Sequence, residues 1–141
     1  MILYLDTSAL VKLYIIEPSS DQVHQLVESA ETVAVSRIAW AEFHAALSRR
    51  SRETPTDANS IEAAKELLTT DWPQYLVLEV TQEVVEKAGE FADIFALRGF
   101  DAIHLATADL AKTKTQHPVH FKSFDTRQTK AATILHLNPE P

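Results

Sequence analysis

The chain contains no cysteine, which excludes disulfides, thiolate-held metals and a thiol nucleophile, and leaves its redox compartment open. Glycine is nearly as scarce. Gly89 and Gly99 are the only two, too few for a dinucleotide-binding fingerprint or a phosphate-cradling loop, which both need several closely spaced glycines. No uncharged apolar run nears the roughly 18 residues of a membrane span. The stretch Met1 to Asp6 lacks a basic region and reads as a strand, not as a signal peptide, so the expectation is a cytoplasmic protein with no membrane attachment. A basic surplus is missing too: 20 acids face 13 bases, for a formal net charge of -7. A general electrostatic binder of nucleic acid carries the opposite balance. Either the partner is not a polyanion, or some of the acids belong to a metal site that reverses the local sign.

What is present has an ordinary globular make-up. With 141 residues, 45% hydrophobic and 23% charged, the chain fits one domain over residues 1–141 with a single sizeable core. Ile2 to Leu5 is a short apolar run ending at Asp6, as in a buried strand that meets a polar turn. Ser19 and Gln22 have capping-box spacing, and Val23, Leu26, Val27 and Ala30 follow at helical spacing. Val33 to Val35 is a second strand, and Ser36 suits the N-cap of a helix running to about Arg50. Pro55 opens a further helix that Trp72-Pro73 closes. Tyr75 to Leu78 is a third strand, Thr81 caps a helix with Val84, Ala88, Phe91 and Phe95 on one face, and Arg98-Gly99 ends it. Asp101 starts a helix to about Lys114. Val119 to Phe124 is a fourth strand, a short helix follows Asp125, and the apolar run Ile134 to Leu137 finishes the chain. Strands alternating with helices predict an α/β protein, with a mostly parallel sheet of four to five strands covered on both faces.

In an open parallel sheet, ligands bind beyond the carboxyl ends of the strands. Asp6 and Asp125 close the first and fourth strands there, followed by the hydroxylated Thr7-Ser8 and Thr126, which can cap a helix or orient a carboxylate. Glu42 lies on a helix that is apolar nearly all round, with Ile38, Ala39, Trp40, Phe43 and Leu47 near it; a carboxylate there needs a partner. Arg37 or Arg49 could provide an ion pair, and a metal is the alternative. Asp101 suits a helix N-cap, and strand alternation does not place it with the others, because two helices separate the third and fourth strands. Oxygen-only donors converging near strand ends would suit Mg²⁺ or Mn²⁺ better than zinc. Metal-dependent phosphodiester hydrolysis is the matching reaction class.

Leu5 to Lys12, Ala41-Glu42-Phe43, Asp101 to Ala108, and Ser123-Phe124-Asp125 with Ala131-Ala132 resemble, in this order, the PIN-domain ribonucleases, and in particular the VapC-type toxins of toxin–antitoxin pairs. The resemblance implies a three-layer α/β/α fold. It also implies that Asp6, Glu42, Asp101 and Asp125 hold Mg²⁺ or Mn²⁺, with Asp6 and Asp101 as principal ligands and Glu42 and Asp125 completing the shell or positioning the attacking water. Ser8 resembles the residue that supports the first acid, with Thr7 beside it. The implied activity is endonucleolytic cleavage of tRNA, rRNA or mRNA, leaving a 5′-phosphate and a 3′-hydroxyl. The implied partners are an antitoxin of VapB type and a second copy of the chain. One departure stands out: His136 occupies a position where such proteins often have glycine.

Several features read as structural. His104 sits among apolar residues and suits packing better than a proton shuttle. His117 and His120 lack ligand spacing, Trp40 and Trp72 suit core packing, and Lys112, Lys114 and Lys122 suit a solvated face. Arg49, Arg50 and Arg52 either neutralise a helix C-terminus or contact RNA or an antitoxin. Two other catalytic families fit poorly. A haloacid-dehalogenase-like phosphatase needs a second acid where Ser8 stands, and a receiver domain needs an acidic pair at the first strand. A non-catalytic PIN-like module that binds RNA or protein is the alternative from a different class.

Overall fold

The computed structural model describes residues 1–138. Its centre is strand β1 (Ile2–Leu5), paired in parallel with β2 (Thr32–Ser36) on one side and with β4 (Val119–Lys122) on the other. Strand β3 (Leu76–Leu78) lies outside β2, also parallel, so the order is β3-β2-β1-β4. Seven α-helices accompany the sheet among the described residues: α1 (Thr7–Tyr14), α2 (Ser20–Ser29), α3 (Ala39–Glu53), α4 (Ala58–Asp71), α5 (Gln82–Phe95), α6 (Gly99–Thr115) and α7 (Thr126–Ile134).

Alternation along β1 divides the core. Ile2 and Tyr4 point into one layer, with Val84 and Phe91 of α5, Leu105 of α6 and Ala132 of α7. Leu3 and Leu5 point into the other, with Leu10 of α1, Phe43 and Leu47 of α3, and Ile61 and Leu68 of α4. A strand buried on both faces has no polar alternation, hence its unbroken apolar run. The result is the expected three-layer α/β/α fold, with four strands.

Local details depart from the sequence reading. Ser19 precedes α2 in a left-handed conformation and makes no capping bond; Ser20 instead donates through its hydroxyl to the Ile15 carbonyl. Ser36 ends β2, and α3 starts only at Ala39, after Ile38. Helix α5 ends at a left-handed Ala96, so the break comes before Arg98-Gly99, which opens α6. Strand β4 stops at Lys122. The run Ile134 to Leu137 forms no strand: α7 closes at Leu135, His136 turns with φ 57, and the Leu137 carbonyl accepts one bond from the Phe121 amide at 2.7 Å. Residues 139–141 lie outside the described part.

The topology places the site. From β1 the chain steps to β2 and β3 on one side, then crosses back to lay β4 on the other. The strand order thus reverses between β1 and β4, and the crevice at such a switch point is where open parallel sheets bind ligands. Asp6 follows β1 and Ser123 to Asp125 follow β4, at its two lips.

Candidate active site

Asp6 is buried and is the N-cap of α1, accepting the Ala9 amide at 3.0 Å through Oδ1. Ser8 donates to the same oxygen at 2.7 Å. Its Oδ2 accepts from the Ser123 hydroxyl at 2.6 Å and from Gln128 Nε2 at 3.3 Å. A carboxylate has about four acceptor positions, so Asp6 is fully hydrogen-bonded, the Gln128 contact being the longest. Gln128 is itself buried, and its Oε1 has no partner. Ser123 belongs to a segment that carries the resemblance, but its bond to Asp6 was not legible in the sequence, and Gln128 was missed altogether. The available signal for Gln128 was its position three residues after Asp125, whose Oδ1 accepts the Gln128 amide at 2.9 Å and caps α7.

Glu42 has neither of its expected arginine partners. Arg37 pairs with Glu79 across the surface, and Arg49 has no acidic partner within 4 Å among the described residues. The face around Glu42 is also less apolar in place than in sequence, since Ala41 and Ala45 are exposed. Its partner is His104, whose Nε2 lies 2.6 Å from Glu42 Oε1, while the Thr7 hydroxyl donates to the same oxygen at 2.7 Å. Thr7 therefore supports Glu42, leaving Ser8 to support Asp6. His104 is buried as expected, but it is the middle of a polar chain: Tyr4, fully buried, has its hydroxyl 2.8 Å from Nδ1. His104 Nε2–H donates to the carboxylate, and Nδ1 faces the Tyr4 hydroxyl. Burial pushes the Glu42 carboxyl up, but the His104 hydrogen bond and charge, with the Thr7 hydroxyl, outweigh it and hold the group below the usual carboxylate range. Oε2 of Glu42 accepts nothing among the described residues. The sequence did carry a signal for His104: it follows Asp101 by three residues on a helix, which puts both on one face.

Asp101 is not an N-cap. Arg98 holds that place, and Asp101, in the first turn of α6, accepts no side-chain or backbone hydrogen bond among the described residues. Burial, followed by the charges of Asp125, Asp6 and Glu42, raises its carboxyl above the ordinary range, with His104 opposing. All four acids thus share one electrostatic neighbourhood. A cleft of about 670 Å³ has Asp101, Asp125, Phe124, Arg98, Arg127 and Lys130 on its walls. A second, of about 560 Å³, is lined by Glu42, Arg49, Arg98, Phe100 and Asp101. Asp101 and Arg98 belong to both.

The arginine cluster divides in the structure. Arg50 pairs with Glu17 and Asp57, and Arg52 bonds Ser48; of the three, only Arg49 lines the cleft of Glu42 and Asp101. Lys112 bonds the carbonyls of Leu135 and His136, and Lys114 pairs with Glu83. Trp40 and Trp72 pack edge to face with ring centroids 5.1 Å apart.

As placed, no group of three or more His, Asp or Glu among the described residues closes tightly enough to hold a metal ion. The donor chemistry nonetheless fits a hard cation: every candidate ligand is a carboxylate oxygen, and the mutual repulsion felt by Asp101 is what a divalent charge would relieve. Mg²⁺ keeps several waters and binds through one or two carboxylates, so a loose set suits it better than a closed cage would.

The family model described as PIN domain matches residues 3–134. The chain belongs to the PIN-domain family. Within it, the chain is 34% identical over 107 residues to Ribonuclease VapC45 of Mycobacterium tuberculosis (strain CDC 1551 / Oshkosh), covering 76% of this chain and 74% of that one. Two solved PIN-like structures show the same fold at low identity. The sarcin-ricin loop cleaving toxin VapC20 of Mycobacterium tuberculosis superposes with a TM-score of 0.65 at 20% identity, covering 97% of this chain and 99% of that one. VapBC2 from Rickettsia felis, bound to a DNA fragment from its promoter, gives 0.65 at 16% identity, with 99% and 98% covered. No helix of this PIN domain, among the described residues, is long and apolar enough to cross a membrane.

Proposed function

We propose that this PIN-domain protein is a Mg²⁺- or Mn²⁺-dependent endoribonuclease and the toxin of a type II toxin–antitoxin pair. The observation that carries the reading is the Asp101 carboxylate, free of hydrogen bonds among the described residues and raised by burial and then by Asp125, Asp6 and Glu42, beside two clefts edged with arginine. The VapC ribonuclease relatives support RNA as the substrate.

Asp6 and Asp101 would be the principal ligands of the ion, Asp6 by giving up its long Gln128 contact, with Asp125 beside them. A bound divalent ion would supply Lewis acidity toward the phosphate and lower the pKa of a water. Glu42, clamped at Oε1 by His104 and Thr7, presents Oε2 to accept a hydrogen bond from the attacking water and fix its approach. Attack in line on phosphorus breaks the bond to the 3′ oxygen, which takes a proton from solvent, and leaves a 5′-phosphate. Arg98, on the wall of both clefts, is placed to hold a non-bridging phosphate oxygen.

The reading extends to an antitoxin of VapB type and to a homodimer, supported by the relatives' toxin–antitoxin complexes and by apolar surface at Leu67 and Ile94 for such contacts to cover. A non-catalytic binding module has one observation in its favour, the saturation of Asp6 by four donors. Incubating purified protein with total RNA and Mg²⁺ separates the two. The nuclease gives cleavage that EDTA and Asp101→Asn abolish. Cleavage surviving both controls would refute the metal mechanism, and intact RNA throughout would favour the module.

A further inference from the structure

Phe100 is conspicuous because a phenyl ring this exposed, at 61%, stands directly beside a candidate catalytic acid. It lies in the first turn of α6 next to Asp101, on the wall of the smaller cleft, and no aromatic pair or cation–π contact among the described residues engages its ring. Arg49 and Arg98 share that wall, and neither has an acidic partner within 4 Å among the described residues. In a chain of net charge -7, two guanidiniums without acidic partners among the described residues, lining one cleft with an exposed aromatic ring, form a local exception. Ring and guanidinium complement the two faces of a nucleotide, base and phosphate.

We propose that Phe100, Arg49 and Arg98 form a nucleotide subsite for single-stranded RNA, the base stacking on Phe100 and its phosphates lying on the two arginines, one nucleotide from the bond that Glu42 and Asp101 flank. The proposal rests on the RNA-cleaving reading above and adds to it where the strand lies and why it must be single-stranded: a base paired in a duplex does not present its face to a side chain. Arg98 lies on the wall of the larger cleft as well, so the strand continues past Asp101 toward Arg127 and Lys130.

The test is binding, measured apart from cleavage, by anisotropy of fluorescein-labelled eight-nucleotide oligoadenylate and oligouridylate in EDTA. Stacking is worth about 1–3 kcal/mol per base, so Phe100→Ala is expected to weaken binding by about 5-fold to 150-fold, and Phe100→Trp to restore it. Arg49→Gln and Arg98→Gln should each flatten the dependence of log K on log salt by about 0.7. The same sequence hybridised to its complement should compete poorly. Because the ring is exposed, Phe100→Ala keeps its thermal midpoint, so lost binding is not lost fold. Equal affinity of wild type and Phe100→Ala, loss that tryptophan fails to restore, or no oligonucleotide binding at all would overturn the proposal. So would a Phe100→Ala change confined to oligomeric state by light scattering, which would make the ring a protein contact. Phe100-dependent binding without cleavage of any RNA would leave the subsite standing and remove the nuclease reading; cleavage indifferent to Phe100 would do the reverse.

Discussion

At the scale of single residues, two half-buried carboxylates are driven in opposite directions by their neighbours. Asp101 is raised by burial and by three acids, so the folded state holds its proton more tightly than the unfolded chain does. Its contribution to stability therefore falls as pH rises through the carboxylate range, and at neutral pH without a cation the charge opposes folding. Asp101→Asn in EDTA should raise the thermal midpoint at pH 7 by about 1–2 °C, with the gain vanishing in acid; calorimetry at both pH values checks it, and a lower midpoint at pH 7 would contradict it. Glu42 runs the other way. Its lowered value means that its stabilisation is present above the unfolded pKa and is lost as pH falls through the folded one. His104→Ala removes the main cause of that lowering and leaves the buried Tyr4 hydroxyl without its bond to Nδ1. The expected cost is about 1–3 kcal/mol in urea denaturation at pH 7, with a shallower loss on the acid side than wild type shows.

At the scale of elements, the scarcity of glycine leaves a mark. Among the described residues four with side chains, Ser19, Ala96, Gln116 and His136, hold positive φ, while neither glycine does. Ala96 and Gln116 sit at the C-caps of α5 and α6, where glycine is the usual solution. His136 makes the turn that lets Leu137 reach Phe121, holding the left-handed conformation that favours glycine with a side chain in place. Ala96→Gly and His136→Gly should each stabilise the protein by about 0.5–1 kcal/mol by chemical denaturation. Gly89 offers the converse: it is exposed in the interior of α5 and a Cβ there would meet nothing within 4 Å, so Gly89→Ala is expected to add about 0.5–1 kcal/mol. A destabilised Gly89→Ala would mean that the position has a contact not seen here.

At the scale of the molecule, four acids meet at one end of a sheet inside a chain already at -7, and the fold tolerates this because Asp6 is satisfied by four donors and Glu42 by two. Asp101 is left as the carboxylate that a cation would relieve. Mn²⁺ at a hundredfold excess over its dissociation constant should stabilise the wild type by about 2.7 kcal/mol, reversibly with EDTA, and Asp101→Asn much less. Equal shifts in both proteins would place the ion elsewhere.

Much of this arrangement could be read along the chain. Apolar runs ending at Asp6 and near Asp125, helical spacing from Val23 and from Val84, and the Thr81 cap depend on neighbours a few residues away, and local rules carry them. The position of Asp101, by contrast, needed a fold-level resemblance, because it starts the second of two successive helices between β3 and β4 and follows no strand directly. Partnerships were harder still. Arginines five and seven residues from Glu42 were the natural candidates, yet the structure brings His104 from 62 positions away and Thr7 from 35. Ser123 and Gln128 reach Asp6 across 117 and 122 residues. Sequence by itself thus determined most of the elements and the class of fold and singled out the candidate acids, since periodicity and composition are short-range properties. Only the tertiary structure decided which donors hold each acid and which acid is left free, because those follow from the parallel crossover that sets β4 beside β1 and so folds distant segments onto one crevice.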